Sequence, residues 1–63
     1  MSYQTFKNRV KFIANKTGVG VRVYREDGRH MARFADGTLI QGNHYSPSVL
    51  VKWGDNHTAY AKI

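Results

Sequence analysis

Cationic and aromatic side chains recur in this chain at a spacing of two residues, with apolar residues between them. Arg22 and Tyr24 alternate with valines, and Tyr60 and Lys62 alternate with alanines. In an extended strand this spacing puts both members of a pair on one face. Arginine and lysine contact phosphate oxygens, and flat aromatic rings stack on bases. The predicted binding set on one sheet face is Arg22, Tyr24, Arg33, Lys52, Tyr60 and Lys62.

A second group of cations lies near the start of the chain at helical spacing, and it surrounds one aromatic residue. Phe12 lies away from the apolar stripe of the predicted helix, in the middle of its basic side. Such a helix could lie against a backbone or in a groove, with Phe12 as a wedge or as an anchor for a protein. The alternative is that Phe12 packs on the last strand or on a loop, or that the helix rotates to bury it. This secondary basic helix face comprises Lys7, Arg9, Lys11, Phe12 and Lys16.

The two signs of charge are segregated along the chain. Ten Lys and Arg residues oppose four Asp and Glu, giving a net charge of +6 and a pI of about 10.1. Glu26, Asp27, Asp36 and Asp55 all fall in predicted turns, so the predicted helix and strands carry only positive charge. Mixed signs are enough for solubility. A uniformly basic set of regular elements therefore indicates a polyanionic partner.

The residues that must position these groups form one helix followed by strands. Ser2 is a plausible N-cap and Gly18 a natural helix stop. Between them, Tyr3, Phe6 and Val10 begin an apolar stripe that continues at Ile13 and Ala14. After Gly18 the period changes from helical to two, which is typical of strands. The predicted elements are a helix over about 3–16 and strands over about 19–25, 30–35, 38–41, 49–53 and 58–63.

Short turns connect these strands. Asp36-Gly37 is the strongest hairpin signal, because glycine supplies the positive φ that a type I′ turn requires. Strands joined by hairpins form an antiparallel meander, and the helix must bury its stripe against it. We therefore expect a single α+β domain over residues 1–63, with an amphipathic N-terminal helix on a meander of four to five strands. The sheet is either open or curled into an SH3-like or OB-like partial barrel.

The longest predicted connection is the polar loop from Gly42 to Ser48. It contains His44 and Tyr45, and loops often present functional groups that regular elements cannot. The alternative is a plain connection that Tyr45 ties to the rest of the protein.

Several classes of function find little support. Without cysteine there is no disulfide framework and no thiolate zinc site. His30, His44 and His57 lack the paired spacing of metal ligands, so neither a metal nor a cofactor is expected. Asp55, His57 and a serine form a nominal triad without a nucleophile elbow, and no phosphate-binding loop motif exists, so no enzyme is expected.

The N-terminus lacks the apolar region of a signal peptide, and no apolar run is long enough to span a membrane. We therefore expect a cytoplasmic location, without membrane insertion. A domain of this size also leaves little protein from which to build a deep, enclosed small-molecule site.

The segment VRVYREDGRHMARFADGTLIQGN, residues 21–43, resembles the three-stranded DNA-binding sheets of tyrosine-recombinase arm domains and of AP2-type domains. The shared features are a DGR turn, an AR-F strand and a DGT turn. In those families the helix follows the sheet, whereas here it precedes the sheet, so no family residue is carried over. The resemblance adds modest weight to nucleic acid as the partner.

The expected function is non-enzymatic nucleic-acid binding, mainly through the phosphate backbone with aromatic support. DNA and RNA, and single and double strands, all stay open. The alternative is a small viral-type regulator or inhibitor that binds an acidic surface of a host or partner protein. Association with an anionic membrane is a weaker third reading, since the helix has only a moderate apolar face.

Overall fold

The helix begins and ends where its capping residues predict. The computed structural model describes all 63 residues, and helix α1 spans Tyr3–Thr17. The Ser2 hydroxyl accepts a hydrogen bond from the Thr5 N–H at 3.1 Å. Gly18 takes a left-handed conformation, φ 75°, and its N–H donates to the Ala14 carbonyl at 2.9 Å. The predicted helix is confirmed and extends one residue further; it is too short and too polar to cross a membrane.

Five antiparallel strands follow, and they lie in the sheet in the order of the chain. Strands β1 and β5 are the two edges, so the sheet is open. The predicted α+β fold is therefore confirmed, and the partial barrel does not close. The strands are β1 Val21–Glu26, β2 Arg29–Phe34, β3 Leu39–Gly42, β4 Val49–Trp53 and β5 His57–Ala61.

The first hairpin differs from the prediction at its turn. Asp27 and Gly28 both have positive φ, 51° and 75°, and Glu26 pairs directly with Arg29. These features define a two-residue type I′ hairpin. Glu26 is thus the last residue of β1, and Arg29 is the first of β2. The expectation that every acidic residue lies in a turn is wrong for Glu26.

The second hairpin is not the type I′ turn that Asp36-Gly37 suggests. Only Gly37 has a positive φ, 95°. The Gly37 N–H donates to the Phe34 carbonyl at 3.0 Å, and the Phe34 N–H donates to the Thr38 carbonyl at 2.8 Å. This is a three-residue loop, a type I turn closed by a glycine bulge. The type I′ prediction fails because Ala35 also belongs to the loop.

The core lies between α1 and the half of the sheet formed by the early strands. Phe6 and Val10 of the helix are fully buried, and they pack with Ala32, Phe34, Ile40 and Val49. A Cβ at Gly42 would come within 3.3 Å of the Phe6 ring, so glycine lets this ring lie directly on the sheet. The helix packs on β1 and β2, and the core extends from β2 through β3 to the start of β4.

The helix covers the start of β4 at Val49, but it leaves the end of β4 and most of β5 uncovered. Trp53 is on the helix side of the sheet but stays 40% exposed, with its ring stacked on His57 at 5.4 Å. Ala59 is exposed as well. A single helix of 15 residues cannot cover five strands, so the β4–β5 end of this face is open to solvent.

Candidate nucleic-acid interface

The strand register aligns cations across the face of the sheet that points away from α1, here called the outer face. Arg22 of β1 pairs with Arg33 of β2, Arg33 with Leu39, and Leu39 with Lys52. Lys52 pairs with Thr58 at the far edge. Neighbouring strands are about 4.8 Å apart, so the cations of this row extend over about 14 Å from β1 to β4. We call Arg22, Arg33, Leu39, Lys52 and Thr58 the cation row.

A second row of paired residues crosses the sheet parallel to the cation row, two residues away from it on every strand. Tyr24 pairs with Met31, Met31 with Gln41, Gln41 with Leu50 and Leu50 with Tyr60. The row therefore has an aromatic ring on each edge strand, with two apolar residues and the polar Gln41 between them. Tyr60 is 80% exposed, whereas Met31 is buried although no helix covers this face. We call Tyr24, Met31, Gln41, Leu50 and Tyr60 the aromatic row.

Tyr24 connects the two arginines of the cation row. Its hydroxyl oxygen accepts a hydrogen bond from Arg33 Nε at 2.8 Å. The guanidinium of Arg22 lies 5.8 Å from the centre of its ring, within the range of a cation–π contact. This bond uses Nε of Arg33, and its two terminal nitrogens make no hydrogen bond within the protein, so they can bind an anion as a pair.

The direct opposition of Arg22 and Arg33 is unfavourable for the fold alone. Like charges at paired positions of an antiparallel sheet are destabilising. The contacts with Tyr24 offset part of this repulsion, and a bound anion would remove it. The two arginines line a shallow depression of about 450 Å³ with Tyr24, Arg25 and Glu26.

A second depression continues the cation row toward the other edge of the sheet. It measures about 380 Å³, and Arg33, Leu39, Lys52 and Thr58 are among its lining residues. Arg33 therefore borders both depressions. A polyanion that follows the cation row would meet positive charge at three points.

The predicted sheet-face residues mostly lie where the alternation places them. The register puts Arg22, Tyr24 and Arg33 on the outer face, together with Lys52 and Tyr60. Lys62 lies one residue beyond the end of β5 and is exposed, so the strand register does not fix its side.

Sequence reasoning missed several neighbours of this set. The sequence pattern predicts a turn at Arg29, but this residue lies in β2 two positions before Met31 and so shares the outer face. Gln41 and Leu50 also belong to that face. The signal was available: the alternation that places Arg33 and Lys52 outward also places these residues outward.

The basic residues of α1 do not form one surface. At 100° per residue, Lys7 and Lys11 lie on one flank, and Arg9, Phe12 and Lys16 lie on the other. Lys11 borders the β1 side of the helix, while a terminal nitrogen of Arg9 donates to the Ile63 carbonyl beyond β5.

Phe12 is 63% exposed, and the Lys16 ammonium lies 5.8 Å from its ring centre. The alternative in which Phe12 packs on the last strand or on a loop, or in which the helix rotates to bury it, is therefore wrong.

The connection between β3 and β4 is held by the chain's first residue rather than by Tyr45. The Met1 ammonium donates to the carbonyls of Asn43, His44 and Ser46 at 3.3, 2.9 and 3.2 Å. Tyr45 is 94% exposed, so it does not tie the loop down. The loop is therefore bound through its backbone, and the Tyr45 ring is exposed to solvent.

The three histidines are dispersed and have different environments. His30 is buried between the rings of Tyr3 and Phe6, and its Nε2 lies 2.9 Å from the Met1 carbonyl. His57 stacks on Trp53, and His44 lies in the loop. No three His, Asp or Glu side chains come together in an arrangement that could hold a metal ion.

The turn between β2 and β3 shifts the pKa of Asp36. A hydrogen bond from the Thr38 N–H, reinforced by the Thr38 side chain, lowers the pKa of the Asp36 carboxyl below its ordinary 3.8. Asp36 lies in the β2–β3 loop and not on the outer face. This shift therefore belongs to the turn.

Comparison with known proteins gives no relative from which to transfer a function. No protein family, curated protein or solved structure matches this chain. The resemblance of residues 21–43 to DNA-binding sheets therefore stays a prediction, and the functional argument depends on the outer face itself.

Proposed function

We propose that this protein is a non-enzymatic nucleic-acid-binding protein and that the outer face of its sheet is the binding surface. The observation that carries the proposal is the cation row, in which Arg22 is held directly opposite Arg33. A fold under selection for stability alone gains nothing from this pair. A phosphate between the two guanidinium groups would turn the repulsion into charge-assisted hydrogen bonds.

The roles of the residues follow from their charge and exposure. Arg22, Arg33 and Lys52 neutralise phosphates along the cation row, and Lys62 adds a further cation beyond β5. Tyr24 orients Arg33 through the hydrogen bond from Nε. Tyr60, exposed at the edge of the sheet, is available for stacking or positioning.

Salt dependence is the first test of this function. If Arg22, Arg33, Lys52 and Lys62 each neutralise one phosphate, log K falls with log salt with a slope of about −3.6 for duplex DNA and about −2.8 for a single strand. Fluorescence anisotropy over a salt series measures this slope. A slope shallower than about −1 would reject the proposal, because it leaves at most one or two phosphate contacts.

Charge-removing variants then locate the surface. Arg22→Ala and Lys52→Ala are expected to weaken binding while the melting temperature stays almost unchanged, since exposed charges contribute little to stability. Lys11→Ala is the matched control, because it removes the same charge on the helix side. Equal losses for Lys11→Ala and Arg22→Ala would show that net charge, and not the outer face, carries the binding.

A second candidate function is favoured by the exposure of Phe12 and Tyr45. Exposed aromatic side chains suit an anchor on a protein surface, and the Lys16 ammonium beside Phe12 suits an acidic one, as expected of a small regulator or inhibitor. In that case the purified protein would carry little absorbance at 260 nm and would capture one protein partner. Nucleic-acid binding would then be weak and would not respond to Arg22→Ala.

A further inference from the structure

The two rows of the outer face specify the form of nucleic acid that this surface fits. We infer that the protein binds a single strand that crosses the strands of the sheet, with phosphates along the cation row and bases along the aromatic row. The inference rests on the proposed function, and it adds which form of nucleic acid is recognised and which residues contact the bases.

The first support is the parallel alignment of the rows. Arg22 and Tyr24 begin the two rows on β1, and Thr58 and Tyr60 end them on β5. Two residues along a strand separate the rows by about 7 Å. Proteins that bind single strands combine a positive track for the backbone with aromatic groups on which successive bases stack. Here both parts lie side by side on one face.

The second support is the chemistry in the middle of the aromatic row. Leu50 and Tyr60 form apolar walls, and Gln41 lies beside Leu50 with an amide that can both donate and accept. These three residues line a depression of about 280 Å³, together with Arg29 and Ser48. The lining combines apolar groups with several hydrogen-bonding ones. Such a combination suits a flat heterocycle, which has apolar faces and a polar edge, better than a phosphate.

The third support is the poor fit of a duplex. The major groove admits an α-helix or a two-stranded ribbon. The outer face is five strands wide, about 19 Å from β1 to β5, so it cannot enter that groove as a unit. A duplex also hides the faces of its bases, which leaves Tyr60 and Leu50 without a stacking partner. The width suits a short site, near the lower end of known single-strand site sizes, roughly 4 nucleotides.

The first experiment compares four ligands of equal length and label by fluorescence anisotropy at one salt concentration. They are oligothymidine, oligouridine, an abasic deoxyribose-phosphate strand and duplex DNA. Oligothymidine is expected to bind at least about 5-fold tighter than the abasic strand, which is the low end of one stacked base. The affinity for oligouridine, compared with that for oligothymidine, shows whether the surface binds RNA or DNA more tightly. Abasic or duplex binding as tight as that of oligothymidine would overturn the inference.

The second experiment tests the base contact directly. Tyr60→Ala is expected to weaken oligothymidine binding roughly 5- to 150-fold and to leave binding of the abasic strand unchanged. Tyr60→Phe keeps the ring and should bind like the wild type. Phe12→Ala is the matched control, because it removes an exposed ring from the opposite side of the sheet. Unchanged oligothymidine binding by Tyr60→Ala would overturn the base assignment.

The two proposals fail in different ways. If none of the four ligands binds even at low salt, nucleic-acid binding is rejected and the inference falls with it. If all four bind equally and Arg22→Ala weakens each of them, the outer face binds phosphates without selecting single strands. In that case the proposed function stands and the inference is wrong.

Discussion

The two faces of the sheet are built from the same alternating strands, yet they use their residues differently. The helix-covered face buries Ala32, Phe34 and Ile40, and Phe6 of α1 lies on it with no exposed surface. The outer face aligns Arg22 with Arg33 and leaves both exposed. The helix-covered face therefore supplies most of the buried residues, while the outer face buries only Met31 and carries charge that the fold does not need.

This division explains how so small a protein can have both a core and a broad binding surface. A sheet that packs on one side and faces water on the other gives each strand two independent sets of residues. Changes on the helix-covered face should therefore act on stability, and changes on the outer face should act on binding. Each prediction below tests one part of that separation.

The largest effect is expected at Phe6. Phe6→Ala removes a fully buried ring from the core and should destabilise the fold by about 3 kcal/mol or more. Small domains have a net stability of about 3–5 kcal/mol, so the variant should be largely unfolded. Circular dichroism during thermal denaturation measures the loss.

Phe12→Ala is the control within the same helix. Phe12 is 63% exposed, so its removal should change stability by no more than about 0.5 kcal/mol. A large loss of stability for Phe12→Ala would mean that the helix buries a different face from the one described.

The next largest effect is expected at the glycines of the two hairpins. Gly28→Val and Gly37→Val should each destabilise the fold by more than about 1 kcal/mol, because a β-branched residue resists positive φ. These turns also fix the register, and a slip of one residue would exchange the two faces. Chemical denaturation gives the free energy of unfolding for both variants.

Gly20→Val is the comparison for this pair, since Gly20 has no positive φ and a Cβ there meets no atom within 4 Å. Its stability should be close to that of the wild type. If Gly37→Val were as stable as Gly20→Val, the bulged geometry of the β2–β3 loop would be incorrect.

Much of this two-faced arrangement is readable in the sequence, because it depends on local periodicity. The caps at Ser2 and Gly18 define the helix, and the period of two assigns Arg22, Arg33 and Lys52 to one face. The type of each turn is harder to predict from the sequence. A type I′ turn needs two residues with positive φ, and sequence alone did not show that Asp27 adopts it while Asp36 does not.

Other features depend on contacts between distant parts of the chain. His30 is buried because Tyr3 and Phe6 of the helix lie against it, and no local sequence pattern predicts that contact. The separation of Lys11 from Arg9 on the helix was missed for a simpler reason. The basic residues were grouped by charge, although their angles around the helix axis place them on different flanks.

A smaller effect on stability is expected at Arg22, on the outer face. Arg22→Glu replaces a like-charge pair with an opposite-charge pair across β1 and β2, and should stabilise the fold by about 0.2–1 kcal/mol. The same change should weaken nucleic-acid binding more than Arg22→Ala does, because it adds repulsion from phosphate. Paired measurements of melting temperature and affinity test the separation. If Arg22→Glu lowered both the stability and the affinity, the outer face would contribute to the stability of the fold.

The smallest effect is expected at Asp36, in the loop that joins two strands without belonging to either face. Its folded-state pKa lies below the ordinary 3.8 because the ionised carboxylate accepts the Thr38 N–H. The ionised form is favoured by folding, so its contribution is present above the unfolded pKa and is lost as pH falls through the folded one. Asp36→Ala should therefore lower the melting temperature slightly near neutral pH, and the difference from the wild type should shrink below pH 3.8.

Asp36→Asn is the control for this variant, because it keeps a hydrogen-bond acceptor but has no titrating group. A difference between Asp36→Ala and the wild type that stays constant from neutral to acid pH would show that the hydrogen bond to Thr38 does not depend on ionisation.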